Sequence, residues 1–456
     1  MLKNHPYIPN ASSAFEEMLR DVGVSDTEEL FKDLPKFHFK IREMPKEPMD
    51  ELSVKTEVMR VLSKNAIFRN RCFTGGGPWF HYIPSVVKHI ISRGEFLTAY
   101  TPYQAEMSQG VLQSLFEFQS MICELYDMDV ANASMYDLPT SIGEAALLCS
   151  RVTGRKKIII PSSLPRERKS VIINYTQPQG LLVKEAPYSA EDGCLDQECL
   201  KGLINRDVAG AYVESPSFFG TIDDDIKGVV DLAHDSGALA VVGSDPLSLG
   251  VFKPPGEYDA DIAVGDGQPL GIPPGLGGNA LGIMACRDDP RIVRQMPGRI
   301  VGLTQTKDGT KRGFVLALST REQHIRREKA TSNICTNETL LALAAAVYMS
   351  LMGRDGMARA ARTILGNTKY TIDKLKRAGL AAPVFRGTNF RDFAVSLKNV
   401  DGINKRLLKR GLVGGRDLSK DFPDLKGVGL FAVTEVHIRE EMDVLVSALH
   451  EIAGGT

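Results

Sequence analysis

Ala238-Leu-Ala-Val-Val-Gly-Ser-Asp245 reads as a short apolar strand that delivers an aspartate at its end. Downstream, Tyr258-Asp-Ala-Asp-Ile-Ala-Val-Gly-Asp-Gly-Gln-Pro-Leu-Gly-Ile-Pro-Pro-Gly-Leu-Gly-Gly278 supplies a second strand, Asp261–Val264, and then a hairpin rich in glycine and proline. Short apolar runs bounded by turn residues suit strands buried on both faces. The glycines at 265, 267, 271, 275, 277 and 278 permit positive φ and close backbone approach. Such a loop can cradle phosphate through backbone N–H groups or serve as a rigid turn. It contains no lysine, and Gln268 stands near its centre.

Outward from this point strands and helices alternate. Lys157–Pro161, Ala209–Glu214, Gly282–Cys286 and Phe314–Leu318 read as further strands. Gln109–Leu125, Ser141–Val152 and Asp224–Ser236 read as helices, the last closed by Gly237 at the left-handed C-terminal position. The alternation predicts an α/β domain with a mainly parallel sheet covered on both faces. Beyond it come two long helices, Glu338–Leu351 and Gly356–Ala378. Strands Phe393–Leu397 and Gly429–Val433 then alternate with helices Val400–Arg410 and Arg439–Ile452, as in a small α+β domain. Near the N-terminus, Ser13–Arg20 and Thr27–Phe31 have helical apolar spacing after Ser/Thr starts. The expected organisation is a helical arm over 1–60, a large α/β domain over 61–335, and connecting helices with a small domain over 336–456.

Composition narrows the function. Fifty-five basic against 56 acidic residues give a net charge of −1, so nothing suggests bulk attraction to nucleic acid or membrane. No apolar run approaches the roughly 18 residues of a membrane span, and the N-terminus has no apolar signal core. Seven scattered cysteines without a C-x-x-C pair, and histidines without zinc spacing, argue against a metal site. Reduced thiols in a cytoplasmic protein are expected.

A strand-end aspartate, a second strand and a glycine hairpin follow the layout of pyridoxal-phosphate (PLP) enzymes. There the aspartate keeps the pyridine nitrogen protonated, so that the ring acts as an electron sink, and a hairpin lysine forms the imine. Gln268 cannot form one. Asp245-Pro246 is also a common turn starter, which leaves a plain structural reading open. Lys253, the only lysine between Asp245 and the hairpin, sits in Val251-Phe-Lys-Pro-Pro255, a surface loop by its prolines. Thr74-Gly-Gly-Gly-Pro-Trp-Phe-His81 lacks the lysine and following helix of a phosphate loop and reads as a turn. Tyr100-Thr-Pro-Tyr-Gln-Ala-Glu106 gathers two phenols, a hydroxyl, an amide and a carboxylate around one proline, and is a candidate binding loop. Arg321 to Asn337 is either a solvated, ion-paired face or a site for an anion or acidic partner.

Tyr100-Thr-Pro-Tyr-Gln104, Glu106-Met-Ser-Gln-Gly110, Ala131-Asn-Ala-Ser134 and the run Arg321 to Asn337 resemble signature segments of the glycine cleavage P-protein, glycine dehydrogenase (decarboxylating). They occur in that family's order and extend the likeness from about residue 60 to the C-terminus. The chain is similar to the N-terminal-half form, subunit 1. The resemblance implies a fold-type-I PLP-transferase architecture and an α2β2 assembly with subunit 2, which would hold the PLP covalently. It also implies decarboxylation of glycine, with transfer of the aminomethyl group to the lipoyl arm of H-protein. Glutamine is common at the position of Gln268 in subunit 1, so no covalent catalytic residue is expected here. Pro269, Leu270 and Pro274 depart from the family pattern, in which an Arg-Phe pair usually follows that glutamine. Tyr100, Thr101, Tyr103 and Gln104 are expected at the active-site mouth, and Asp245 and Gln268 as a vestigial cofactor site. The alternatives are a non-catalytic scaffold that steadies subunit 2 or docks H-protein, and an independent PLP enzyme using a lysine such as Lys253.

Overall fold

Strands of five to seven residues, apolar on both faces, need cover on both sides, and the chain supplies it with helices. The computed structural model describes residues 7, 13–34, 48–275, 278, 280–334 and 336–454, in two units, Met1–Ile67 and Phe68–Thr456. In the first unit, Ser13–Val22 and Glu51–Leu62 are α-helices and Thr27–Phe31 is a 3-10 turn. The Asp26 and Asp50 carboxylates accept backbone N–H groups at the starts of the last two. Residues 1–6, 8–12 and 35–47 of the expected arm lie outside the described residues.

The second unit is built on a seven-stranded sheet. Its strands are β1 (Val130–Ala131), β2 (Lys157–Pro161), β3 (Leu182–Ala186), β4 (Val208–Glu214), β5 (Leu239–Gly243), β6 (Ile262–Asp266) and β7 (Gly282–Cys286). They lie in the order β1-β7-β6-β5-β4-β2-β3. The run from β6 to β3 is parallel, and β7 is antiparallel to both neighbours. Side-chain alternation divides the core. Val241, Ile158 and Ile160 join the cluster around helix Leu138–Thr153, whereas Val242, Ala240 and Ile159 join that of helix Ile226–Asp235.

The strand read at Phe314–Leu318 does not complete this sheet. It forms β9 (Arg312–Ala317), which pairs antiparallel with β8 (Ile300–Gln305) in a separate two-stranded ribbon. Every residue of β9 is exposed or only partly buried. A strand covered on one side only cannot stand inside a sheet covered on both. Phe314 instead packs on Phe116 of helix Gln109–Tyr126, with ring centroids 5.4 Å apart.

Two helices joined at Gly353 within Thr339–Arg377 lead to the C-terminal elements; the φ of 56° and ψ of −175° at that glycine leave the helix. The two long helices read from the sequence are the halves on either side. Beyond them β10 (Asp392–Ser396), β11 (Arg416–Asp417) and β12 (Val428–Ala432) form an antiparallel sheet in the order β10-β12-β11. Helices Val400–Lys409 and Arg439–Gly454 pack beside it. Two earlier segments tie it to the large sheet. Gly75 N donates to Leu430 O at 3.0 Å, and Phe390 N donates to Gly220 O at 2.8 Å.

Gly220 makes the second tie possible. Its φ is +87°, and a Cβ there would overlap the carbonyl of Asp392. Gly220→Ala is therefore expected to destabilise the chain by about 3 kcal/mol through overlap and backbone strain. Gly154→Ala, at φ +71° with nothing near the added carbon, is expected to cost only about 1 kcal/mol. Denaturant midpoints of the two variants, measured side by side, check the difference.

Candidate functional site

Strand β5 ends at Gly243, and Asp245 follows at the carboxyl edge of the sheet, where open α/β sheets place ligands. Beside it lies a cavity of about 50 Å³, lined among others by Gly76, Trp79, Arg168, Glu214, Asp266 and Asp392. Typical ligand pockets run from about 300 Å³ upward. The space here has room only for a few water molecules.

Side chains of the same chain account for the difference. Arg391 enters from the start of β10, and its Nη1 lies 2.6 Å from Asp245 Oδ2, with side chains 5% and 9% exposed. Its Nε donates to Asp392 Oδ2 at 3.1 Å, and its guanidinium carbon sits 3.3 Å from the centre of the Trp79 ring. Burial opposes the Arg391 charge, but Asp245 and Asp392 outweigh it and hold its pKa above the ordinary value. Burial pushes the Asp392 carboxyl up despite the neighbouring guanidinium. Trp79 Nε1 donates to Asp392 Oδ1 at 3.1 Å, closing the network.

Gln268 is buried and holds the Trp79 backbone. Its Oε1 accepts from Trp79 N at 3.2 Å, and its Nε2 donates to Trp79 O at 3.0 Å and Ile272 O at 2.7 Å. The hairpin glycines serve close packing. A Cβ on Gly267 would lie 2.6 Å from the Leu281 side chain, one on Gly265 would overlap the Tyr126 hydroxyl, and Gly271, at φ +85°, faces Tyr348. The phosphate-cradle reading of Gly277 lies outside the described residues, as does Cys335 of the run from Arg321. Lys253 is 66% exposed and faces Glu257 at 3.7 Å, away from the cavity. The pocket of this chain does not fit PLP. No amine stands at 268, and the carboxylate that would face a ring nitrogen is already paired with a cation.

The Tyr100–Gln104 loop belongs to a different constellation. Arg299, fully buried before β8, donates from Nη2 to the Tyr103 hydroxyl at 3.0 Å and from Nη1 to Asn337 Oδ1 at 3.0 Å. Asn337 Nδ2 donates to Ser134 Oγ at 2.9 Å, and Glu322 Oε2 lies 3.8 Å from Arg299 Nε. The Tyr100 hydroxyl meets Thr336 Oγ1 at 3.2 Å. Stretches 100–104 and 321–337 thus meet at one guanidinium, and 131–134 joins them through Asn337 and the Arg299 main-chain carbonyl. Tyr100 is 74% exposed, Tyr103 is about half exposed, and Gln104 is also at the surface. Thr101 Oγ1 is buried without a hydrogen-bond partner among the described residues.

Arg391, Trp79 and Arg299 were not among the sequence candidates. The signal for Arg391 was a charged pair, Arg391-Asp392, heading an otherwise apolar strand, since buried charges come paired. Arg299 stands alone before Ile300-Val301, and its partners are too distant in sequence for any spacing rule to join them.

The sheet order and the second, smaller sheet define a PLP-dependent transferase fold of type I. Solved structures with this fold include a NifS-like protein (TM-score 0.62, 14% identity, 85% of this chain and all of that one). Another is a sphingosine-1-phosphate lyase of Burkholderia pseudomallei (TM-score 0.66, 16% identity, 92% and 94%). Within that class the chain belongs to the glycine cleavage system P-protein family, which matches residues 5–449. A probable glycine dehydrogenase (decarboxylating) subunit 1 of Staphylothermus marinus is 43% identical over 99% of both chains. Its counterpart in Thermococcus kodakarensis is 47% identical over 98% of both. A crystal structure of glycine decarboxylase (P-protein) of the glycine cleavage system, in inhibitor-bound form, aligns with a TM-score of 0.83 at 39% identity, over 98% of this chain and 99% of that one.

The cavity geometry has a direct consequence. Asp245→Asn leaves the buried Arg391 with one carboxylate fewer, and breaking such a pair costs about 3 kcal/mol. A clear fall in Tm is expected in the absence of any ligand. An open, solvated pocket would leave the Tm unchanged.

Proposed function

We propose that this glycine decarboxylase subunit works through a site it shares with a second, PLP-bearing subunit, and holds no cofactor itself. In this reading the pair assembles as α2β2 in the cytoplasm, decarboxylates glycine and passes the aminomethyl group to the lipoyl arm of H-protein. The cofactor supplies the electron sink for the bond to CO2, and this chain supplies polar side chains that position the reactants. Tyr100, Thr101, Tyr103 and Gln104 are its contribution to the active-site mouth. Asp245 and Gln268 are the remnant of a cofactor site.

The observation that carries the reading is the anchoring of Tyr103 on Arg299. A fully buried guanidinium donates to the phenol oxygen, so the phenolic hydrogen is directed away from it. The phenol is thereby held in one place at the loop, as positioning of glycine or of the lipoyl amide requires. The Arg299 guanidinium also lies over the Tyr103 ring, 5.0 Å from its centre, and His324 packs edge-on against it at 5.9 Å. In the N-terminal unit Leu52, Val58, Met59 and Leu62 are exposed on one helix, apolar surface that an assembled complex has reason to bury.

Exchange of CO2 into glycine, measured with the second subunit and H-protein, tests the reading. Adding this chain is expected to raise exchange well above that of the second subunit alone. Tyr100→Phe with Tyr103→Phe is expected to lower it by on the order of tenfold or more while assembly stays intact. Unchanged exchange in the double variant would remove the loop from the site. Equal exchange by the second subunit alone would leave this chain the part of a scaffold.

A further inference from the structure

We propose that Arg391, stacked on Trp79, is a built-in occupant of the cofactor pocket, its guanidinium standing on Asp245 where the cationic ring of a pyridine phosphate would stand. This rests on the reading of Asp245 and Gln268 as a cofactor-site remnant, and it names what closed the site. Loss of the lysine is then only one of two changes. The other is an internal cation, planar like the ring it replaces, on the same carboxylate.

Three observations support the assignment. Asp245 is matched at 2.6 Å by a guanidinium that is itself almost wholly buried, so a second cation would meet an acid already neutralised. The Arg391 group lies 3.3 Å from the centre of an indole, a separation that leaves no room for another flat ring between them. The other cation on the cavity wall among the described residues, Arg168, is matched by Glu214 at 3.2 Å, so a phosphate would find no unmatched charge there. Each charge that a pyridine phosphate would bring already has its counterpart within the chain.

Replacing Gln268 with lysine alone should therefore not restore binding, whereas also vacating Arg391 should. The full chain is prepared as Q268K, Q268K/R391A and Q268K/R391Q, and folding is verified by Tm. Each variant is incubated with PLP and reduced with borohydride, and pyridoxyl label is counted by mass spectrometry on the peptide carrying residue 268. Cofactor on a second subunit does not enter that count. Trp79 is the only tryptophan of the chain, so quenching of its fluorescence reads occupation of the pocket independently of any covalent bond. The expected result is at least about tenfold more label in a folded double variant than in Q268K, with quenching in the double variant only. Stoichiometric label in Q268K overturns the proposal, whatever the double variants do. A folded double variant labelled no more than Q268K overturns it as well. Should neither double variant fold, label in Q268K decides, its absence supporting the occupant and its presence refuting it. Glycine–CO2 exchange with the second subunit is read separately, so loss of the shared-site reading and loss of this one are distinguishable.

Discussion

The ion pair between Asp245 and Arg391 joins the seven-stranded and three-stranded sheets of the larger unit. Asp245 follows the end of β5, in the middle of the seven-stranded sheet, and Arg391 immediately precedes β10 of the three-stranded one. A lone pair of this kind rarely stabilises, because withdrawing both charges from water costs about as much as their attraction returns. Here the cost is offset by further partners. Asp392 takes the Nε hydrogen of Arg391, the Trp79 indole lies under its plane, and Trp79 and Gly76 donate to the far oxygen of Asp392. Behind them His81 pairs with Glu435 at 2.9 Å, and its other ring nitrogen lies 3.5 Å from Arg391 Nη1. Burial works against the Glu435 carboxylate, but His81 and the Tyr82 N–H overcome it and keep its pKa below the usual range. A network so fully partnered fixes one relative arrangement of the sheets, since any slippage strands a buried charge.

Backbone packing accommodates the network. Earlier loops reach the three-stranded sheet through glycines, at Gly75 against Leu430 and the Asp392 carboxylate, and at Gly220 against the Asp392 carbonyl. Both contacts converge on the residue that follows Arg391. A side chain at either place would push β10 away from the end of β5 and lengthen a 2.6 Å ion pair. The glycines of the 265–271 hairpin act in the same way on the other wall, bringing it close to Tyr126, Leu281 and Tyr348. The small cavity is a product of backbone approach as much as of charge.

What could be read from the sequence follows the range of the physics. Local apolar periodicity located β5, β6, β7, β10 and β12 and the long helices to within a few residues, because burial of a strand or a helical stripe is written in neighbouring residues. Half-buried β9 carries the same apolar letters as a core strand, and only its ribbon partner β8, absent from the reading, reveals that it stands apart. At the candidate site, Asp245, Gln268 and the Tyr100–Gln104 loop were visible as chemistry out of place. Their partners Arg391 and Arg299 were not, because a contact between residues 245 and 391, or 103 and 299, has no spacing to recognise.

Gln268 is then more than the loss of an amine. Its amide must accept from the Trp79 N–H and donate to the Trp79 and Ile272 carbonyls at once. A lysine ammonium has three donors and no acceptor, so it could satisfy the carbonyls but would leave the Trp79 N–H buried and unpaired. A glutamate would face those same carbonyls with lone pairs. Glutamine is the side chain of that length with both functions, and it clamps the segment whose indole lies under Arg391. The hairpin residue and the arginine on β5's aspartate are therefore coupled through one tryptophan. Gln268 holds the ring, the ring supports the guanidinium, and the guanidinium occupies Asp245.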